Sequence, residues 1–312
     1  MASQIYNGTE QVEKNVSKGI LQLCFAMLFI PILDVFAKLL GQNLNPIEVT
    51  MMRFLMQIVL MAPFVIWSRL WRVPKGTLWL QLIRGVLLAI ATTCFFAALQ
   101  HLPMAEAISI YFAQPLILTG ISALLLGETI RQRRIIAIVI GLVGVLVILQ
   151  PSVALFGWPA FLPLATALSM AGYVAITRQL AGVVHPYQMQ FLVGLTAAFV
   201  LGLTLVAGTF LEIDSLELIM PNATELQWVV YMGLVATVGH IFIVWATANA
   251  PASVLAPFQY LEIVSAIILG YAVFGDIPGP NTVIGVLIII ASGIYLFHRE
   301  RIASRETHYS AP

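Results

Sequence analysis

The sequence predicts an all-α integral membrane protein of ten transmembrane helices, arranged as two inverted five-helix repeats. Three observations predict it: a composition that water cannot solvate, ten apolar runs of membrane-spanning length, and a self-match at a fixed offset. Of 312 residues, 60% are hydrophobic and 9% are charged. A soluble fold carries roughly a quarter of its residues as charges, so lipid must cover most of the outside.

A helix needs about 20 apolar residues to cross a hydrocarbon core of about 30 Å, because lipid satisfies no backbone group. Runs of this kind lie at 19–40, 47–68, 77–99, 104–127, 134–150, 157–178, 187–207, 227–248, 252–274 and 281–298. The first is longer than a signal-peptide core of roughly 7–15 residues and is expected to remain as a span. The expected organisation is a cytoplasmic segment 1–18, a first repeat 19–150, a second repeat 151–298 and a cytoplasmic tail 299–312.

Short loops rich in Lys and Arg stay in the cytoplasm. Lys14 and Lys18, then Arg69, Arg72 and Lys75, then Arg131, Arg133 and Arg134, then Arg178, and finally Arg299, Arg301 and Arg305 all fall on one side of a ten-span chain. The loops near 41–46, 100–103, 151–156 and 275–280 carry no Lys or Arg, and 208–226 carries only Glu212, Asp214, Glu217 and Glu225 as charges. Both termini are therefore expected in the cytoplasm of a bacterial-type inner (plasma) membrane. On this orientation Asn222-Ala-Thr is an external tripeptide of the glycosylation type, a pattern common by chance.

The net charge of +1, with dispersed basic residues, excludes a nucleic-acid partner. Cys24 and Cys94 each sit inside an apolar run, which indicates neither a disulfide framework nor a metal site. No cofactor and no metal are expected.

Shifting the chain by 148 residues places Gly85 on Gly233, Ala98 on Ala246, Pro103 on Pro251, Gly127 on Gly275 and Glu128 on Asp276, without a gap. The matches include Gly and Pro at helix ends, where backbone geometry selects the residue. A repeat with an odd number of spans enters the membrane from the opposite side the second time. The two halves are then related by an axis in the membrane plane, an arrangement typical of secondary transporters with a site near the midplane.

Charges inside the bilayer cost about 2.5–3.5 kcal/mol or more, so each needs a partner or a watery cavity. Glu262 lies mid-span in Pro257-Phe-Gln-Tyr-Leu-Glu262 and is expected to share a helix face with Gln259. Under the 148-residue shift, Gln259 and Glu262 fall on Tyr111 and Gln114 of span 4. The functional reading makes spans 4 and 9 the solute path, with Glu262 binding a proton or a cation. The structural reading pairs Glu262 with His240 of span 8 or Arg84 of span 3. Asp34 and Lys38, four apart on span 1, and Arg53 with Gln57 on span 2 form a second polar set, either an outer gate or an anion site. For Lys38, snorkelling to the interface is the simpler expectation. Tyr111, Tyr173, Trp245 and Tyr260 are the aromatic residues placed to face a solute, and Pro31, Pro115, Pro163 and Pro257 interrupt predicted helices.

These features resemble the drug/metabolite transporter superfamily, in its ten-helix EamA-like branch. The resemblance is carried by Ala98-Leu-Gln-His-Leu-Pro-Met-Ala105 leading into Pro115, Gly127-Glu128 and Gly141-Leu-Val-Gly144-Val, then by Ala246 to Pro251, Gly275-Asp276, Gly285 and Gly293. It implies two inverted repeats, cytoplasmic termini and transport of metabolites without ATP hydrolysis. Members that it resembles include amino-acid exporters and importers of riboflavin or S-adenosylmethionine. Asp276 in place of Glu, and Ala137 where Gly285 stands in the other half, depart mildly from the pattern. The chain is thus expected to move a small organic metabolite (an amino acid, a vitamin such as riboflavin or a nucleoside-like compound) by alternating access, with protons as a candidate coupling partner. Ala137 and Gly141 offer a close helix contact for a homodimer. A channel or a membrane-embedded enzyme is the alternative, although the chain carries no His-Glu-x-x-His, Gly-x-Ser-x-Gly or Walker string.

Overall fold

A computed structural model describes residues 2–70, 72–126, 132–180, 183–250 and 252–309. The described residues are helical throughout, with no strand among them. In chain order the helices are α1 (Ala2–Phe29), α2 (Pro31–Leu40), α3 (Pro46–Trp67), α4 (Leu78–Leu99), α5 (Met104–Tyr111), α6 (Gln114–Leu126), α7 (Gln132–Phe156), α8 (Leu162–Leu180), α9 (Pro186–Phe210), α10 (Ala223–Asn249), α11 (Ala252–Leu255), α12 (Leu261–Leu269) and α13 (Pro280–Tyr309).

Eight helical stretches are long and apolar enough to cross a membrane: Val16–Leu40, Pro46–Trp67, Leu78–Leu99, Ile138–Phe156, Trp158–Leu180, Pro186–Phe210, Ala223–Thr247 and Pro257–Phe274. Met104–Leu118 and Pro280–Tyr295 are shorter apolar stretches, lying where spans 4 and 10 are expected. The chain is an integral membrane protein. Gly127, Glu128 and Pro251 of the sequence match, and Arg131 of the loop-charge pattern, lie outside the described residues.

The four helix-interrupting prolines all sit at helix starts, where a missing N–H costs nothing and the fixed φ suits the first turn. Pro31 opens α2, Pro115 is the second residue of α6, Pro163 the second of α8, and Pro257 lies in the 3-10 segment Ala256–Tyr260 that leads into α12. Spans 4 and 9 are therefore both discontinuous. The break in span 4 falls at Phe112 and Ala113, which the 148-residue shift carries to Tyr260 and Leu261, where the 3-10 segment gives way to α12.

Packing follows small residues that let backbones approach. Gly19 and Gly239 bring α1 against α10, and Gly172 brings α8 against α4. Gly85 lies against Thr196 of α9, Gly233 against Met56 of α3, and Gly194 joins α9 to α3. Gly144 of α7 and Gly285 of α13 cross backbone to backbone. Gly141 is spent within the chain as well: a Cβ there would meet Leu116 and Ser292, so it is not open to a second copy. The side chain of Ala137 lies outside the described set.

The two ends of the bundle differ in charge. Loops 41–45, 100–103, 211–222 and 275–279 gather at an acidic end, tied together by side-chain bonds described below. At the basic end Gln188 of α9 donates to the carbonyls of Leu70 and Arg72, holding the α3–α4 loop.

The α7–α13 crossing gives the first test. A Cβ at Gly285 would lie 2.3 Å from Ile148 Cγ1 and 2.7 Å from the Gly144 carbonyl oxygen, which cannot swing aside. Gly285→Ala should destabilise the protein by about 1–3 kcal/mol, read as an earlier midpoint in detergent unfolding. Gly120→Ala, with no atom within 4 Å of the new Cβ, should leave the midpoint in place.

Candidate functional site

Four polar side chains form a cluster inside the bundle, three from the short segments α2, α5 and α12 and one from the long helix α3. Asp34 stands in the first turn of α2, Arg53 two turns inside α3, Tyr111 at the last residue of α5 and Glu262 at the second residue of α12. Seven residues separate Arg53 from the start of α3 at Pro46, about 10 Å of rise. The Asp34 carboxyl interacts electrostatically with Glu262 and Arg53, and Tyr111 interacts with both carboxyls. Arg53 also interacts with Tyr173 and His240.

The hydrogen-bond inventory of this cluster is short. Asp34 is 4% exposed and Arg53 is 5% exposed. Arg53 Nη1 donates to Thr92 Oγ1 at 3.2 Å, its guanidinium lies over the Phe54 ring, and its buried Nε has no partner. Neither carboxylate, neither tyrosine hydroxyl at 111 and 260, and not Gln114 makes a hydrogen bond among the described residues. The sole ion pair in contact among them is elsewhere, so Asp34 and Arg53 are not in ion-pair contact.

Arg84 shows what a structural arginine looks like in the same bundle. It is 1% exposed and donates to Thr177 Oγ1 (2.8 Å), Gln81 Oε1 (2.9 Å), the Met189 carbonyl (3.2 Å) and Tyr173 Oη (3.0 Å), while stacking over the Tyr173 ring. Its donors clamp α4 to α8 and α9. It does not pair with Glu262, and Tyr173 is held as part of the clamp.

His240 does not pair with Glu262 either. Its Nδ1 bonds the Ala236 carbonyl at 2.7 Å, one turn back on α10. It lines a small cleft between α3, α9 and α10, together with Gln57, Met61, Tyr187, Gln190 and Trp245. The cleft begins at the basic end, where α9 starts, and reaches inward to Gln57, one turn from Arg53 on α3. Trp245 is exposed along it. Gln259 is exposed whereas Glu262 is half-buried, so the two do not share a buried face; the 3-10 winding of Ala256–Tyr260 replaces the regular α spacing on which that expectation rested. Tyr260 packs on Phe112 with ring centroids 5.2 Å apart, its hydroxyl filling the space left open by Gly293 of α13.

Side-chain contacts bridge the loops of the acidic end. Lys38 Nζ pairs with Asp276 Oδ2 at 2.7 Å, donates to the Leu102 carbonyl at 3.3 Å and lies 4.6 Å from the Phe274 ring centroid, so it does not snorkel. Gly275, at φ +72°, reverses the chain after the π-helical turn Gly270–Phe274 and delivers Asp276 to that contact. Asn43 donates to Glu225, and Gln100 Nε2 donates to the carbonyls of Gly41 and Leu44. Glu106, absent from the sequence reading, is a buried carboxylate that accepts from Ser152 (2.7 Å) and Thr282 (3.3 Å), joining α5, α7 and α13. Its environment is not legible along the chain because both partners are distant in sequence. Asn222 serves as the N-cap of α10 in a capping box with Glu225.

Comparison with known proteins follows this geometry. Residues 17–150 and 157–298 each match the EamA-like transporter family. The S-adenosylmethionine uptake transporter of Rickettsia prowazekii is 26% identical over 297 residues, 95% of this chain and 98% of that protein. The riboflavin transporter of Rhizobium johnstonii is 28% identical, covering 71% of each chain. The pseudopaline exporter of Pseudomonas aeruginosa is 29% identical, over 69% of this chain and 73% of that protein. A crystal structure at 20% identity shares the fold with a TM-score of 0.64, covering 92% of this chain and 99% of that chain.

The contrast between the two arginines is testable. Interhelical hydrogen bonds in membranes are worth about 0.6 kcal/mol each on average, so Arg84→Leu, which removes three of them and one within α4, should cost about 2 kcal/mol or more. Arg53→Gln should leave the unfolding midpoint in ligand-free protein within about 0.5 kcal/mol of the parent. Equal losses in the two variants would mean that Arg53 is structural too.

Proposed function

The chain belongs to the EamA-like transporter family, and from that premise we propose that it is a secondary active transporter that binds a small organic metabolite between Asp34, Arg53, Tyr111 and Glu262. The observation that carries this reading is the buried Arg53 guanidinium, whose Nε has no partner, in one cluster with Asp34, Tyr111 and Glu262, the last two beside the breaks of spans 4 and 9. Lipid offers such groups no partner, and a solute does.

The reading extends to ten spans and an inverted repeat. In its support, the principal packings exchange when the first five spans are swapped with the second five: α1 on α10 becomes α8 on α4, while α3 on α9 and α7 on α13 map onto themselves. A two-fold axis in the membrane plane has that property. The arginine and lysine bias puts the basic end in the cytoplasm and both termini with it. The structure then corresponds to an inward-facing state, with the cleft open to the cytoplasm and the acidic end closed by Lys38 and Asp276.

Alternating access requires that closure to be reversible. A buried hydrogen bond between charged groups is worth about 1.5–3 kcal/mol. Lys38→Ala should therefore raise the outward-open population by about tenfold, the factor that 1.4 kcal/mol represents. In a variant lacking Cys24 and Cys94, a cysteine replacing Gln57 should react with an external membrane-impermeant maleimide about tenfold faster when Lys38→Ala is also present. Unchanged labelling would remove Lys38 from the gate.

On this reading Glu262 is the proton-coupling residue. The groups facing it are Asp34 of α2 and Tyr111 of α5, with Arg53 of α3 reaching the site through Asp34 and His240 of α10 through Arg53. In proteoliposomes tested with S-adenosylmethionine, riboflavin and amino acids, a pH gradient should drive uptake in the parent. Glu262→Gln should lose that dependence yet retain exchange of solute for solute. Normal gradient-driven uptake in the variant would end the assignment.

A further inference from the structure

We infer that Glu106, Ser152 and Thr282, with the Ile148 carbonyl, form a buried site for one monovalent cation, a sodium ion or a proton, which clasps α5 to α7 and α13 just inside the acidic end. The site is separate from the central cluster, and it stands whether or not that cluster binds a solute.

The crossing of α7 and α13 sets the hydroxyls in place. Gly144 and Gly285 let the two backbones touch, with Ile148 packed over Gly285. Ser152 lies one turn beyond Ile148 on α7, and Thr282 lies about one turn before Gly285 on α13. Both hydroxyls therefore stand on the acidic side of the crossing. Glu106, in the first turn of α5, meets them with Oε2 at 2.7 Å from Ser152 Oγ and Oε1 at 3.3 Å from Thr282 Oγ1. Glu106 is 8% exposed, Ser152 2% and Thr282 3%, so bulk water does not complete the set.

A count of hydrogens leaves this set incomplete. Ser152 has one hydroxyl proton, yet its oxygen lies 2.7 Å from Glu106 Oε2 and 2.9 Å from the Ile148 carbonyl oxygen. Two straight hydrogen bonds of that length cannot share one proton. Thr282 brings the other proton, and it faces Oε1. Three acceptor oxygens share two protons, and the set is short of one positive centre.

Charge gives the same count. A buried carboxyl group is balanced by a proton on the group itself or by a cation beside it. Helices α4, α7, α8, α12 and α13 pack against α5, and among the described residues none of them brings a cationic side chain into contact with Glu106. α7 carries no titratable side chain among those described. Arg84 and Cys94 of α4, Tyr173 and Arg178 of α8 and Glu262 of α12 make no hydrogen bond or ion pair with Glu106. Tyr295 of α13 stands 13 residues beyond Thr282, about 20 Å along the helix, and Tyr111 of α5 itself belongs to the central cluster. Lys38 and Asp276, at the same end, are paired with each other.

Oxygen donors of this kind suit a hard cation, and one carboxyl group balances one charge. The 148-residue shift carries Glu106 to Val254 and Thr282 back to Arg134, so the repeat supplies no second copy of the site at the basic end. Occupancy fixes the first turn of α5, the half-helix whose last residue is Tyr111, and favours closure of the acidic end alone.

The melting midpoint of the purified full-length protein tests this, because a ligand of the folded state raises it by mass action. Sodium chloride is exchanged for choline chloride at constant ionic strength, in mildly alkaline and in mildly acidic buffer. If the ion is sodium, the alkaline midpoint rises by several degrees when sodium replaces choline. If it is a proton, the midpoint rises on acidification in choline, and sodium adds nothing. In Glu106→Gln the amide donates to Ser152 and accepts from Thr282 without a charge. This variant should lose the response that the parent shows, and in alkaline choline it should melt above the parent; Glu262→Gln should keep the response. Should Glu106→Gln fail to fold, Thr282→Val decides: it should change the sodium or proton concentration that gives half the effect by about tenfold, the factor for one lost contact to a charged group. The parental response retained in full by Glu106→Gln or, in its place, by Thr282→Val overturns the inference. A parent whose midpoint responds to neither ion overturns it as well, and both results leave the solute site and the Lys38 gate to their own tests.

Discussion

A hydrocarbon interior supplies no hydrogen-bond partner, and this single constraint organises the molecule. Every buried polar group must be answered by protein, by a watery cavity or by a ligand. Arg84 and Arg53 show two responses to it. The first binds three helices through four donors and fixes the bundle. The second leaves a buried donor idle. Folding alone does not favour a buried guanidinium in that condition, because replacing such a group with an apolar residue of like size is generally neutral or stabilising. On the proposed reading a solute answers it.

The same constraint accounts for where the site lies. An uninterrupted membrane helix satisfies its own backbone and offers nothing to a solute. Proline at the second position of α6 and in the 3-10 segment before α12 breaks that self-sufficiency at matching depths of spans 4 and 9. The freed backbone and the side chains beside it, Tyr111 and Glu262, then face the interior instead of lipid. Irregular backbone at this depth is tolerated where it lines a cavity or is buried in protein, and the cleft that reaches Gln57 and His240 supplies the approach.

Much of this was legible in the sequence because the physical signals are local. Runs of apolar residues locate spans, prolines locate breaks, and a carboxylate in the middle of an apolar run identifies itself as anomalous. Asp34, Arg53, Tyr111 and Glu262 were all singled out on those grounds, although as two sets rather than one: nothing along the chain reveals that α2 and α12 bring Asp34 beside Glu262. The errors have a common origin. Arg84 and Glu262 were offered as partners, and Lys38 as a snorkelling residue, because sequence alone cannot tell which helix faces which. Thr177, Tyr173 and Met189 satisfy Arg84, and Asp276 satisfies Lys38, all from more than 80 residues away. Gln259 failed for a different reason: α periodicity was assumed across a segment that winds as a 3-10 helix.

The short helix α2 joins the site to the gate. Asp34 and Lys38 stand four residues apart on it, one turn, with Pro31 at its start separating it from α1. A ten-residue helix moves as a unit, so a displacement that draws Asp34 toward a solute also moves Lys38 with respect to Asp276. A solute shifts the balance between closed and open forms only through unequal affinity for them. Asp34 provides such an inequality, because its distance from Arg53 and Glu262 depends on the position of α2, and so does the integrity of the Lys38 ion pair. On the proposed reading, site occupancy and gate closure are two readouts of one element, α2. No longer chain of coupled residues is required to connect them.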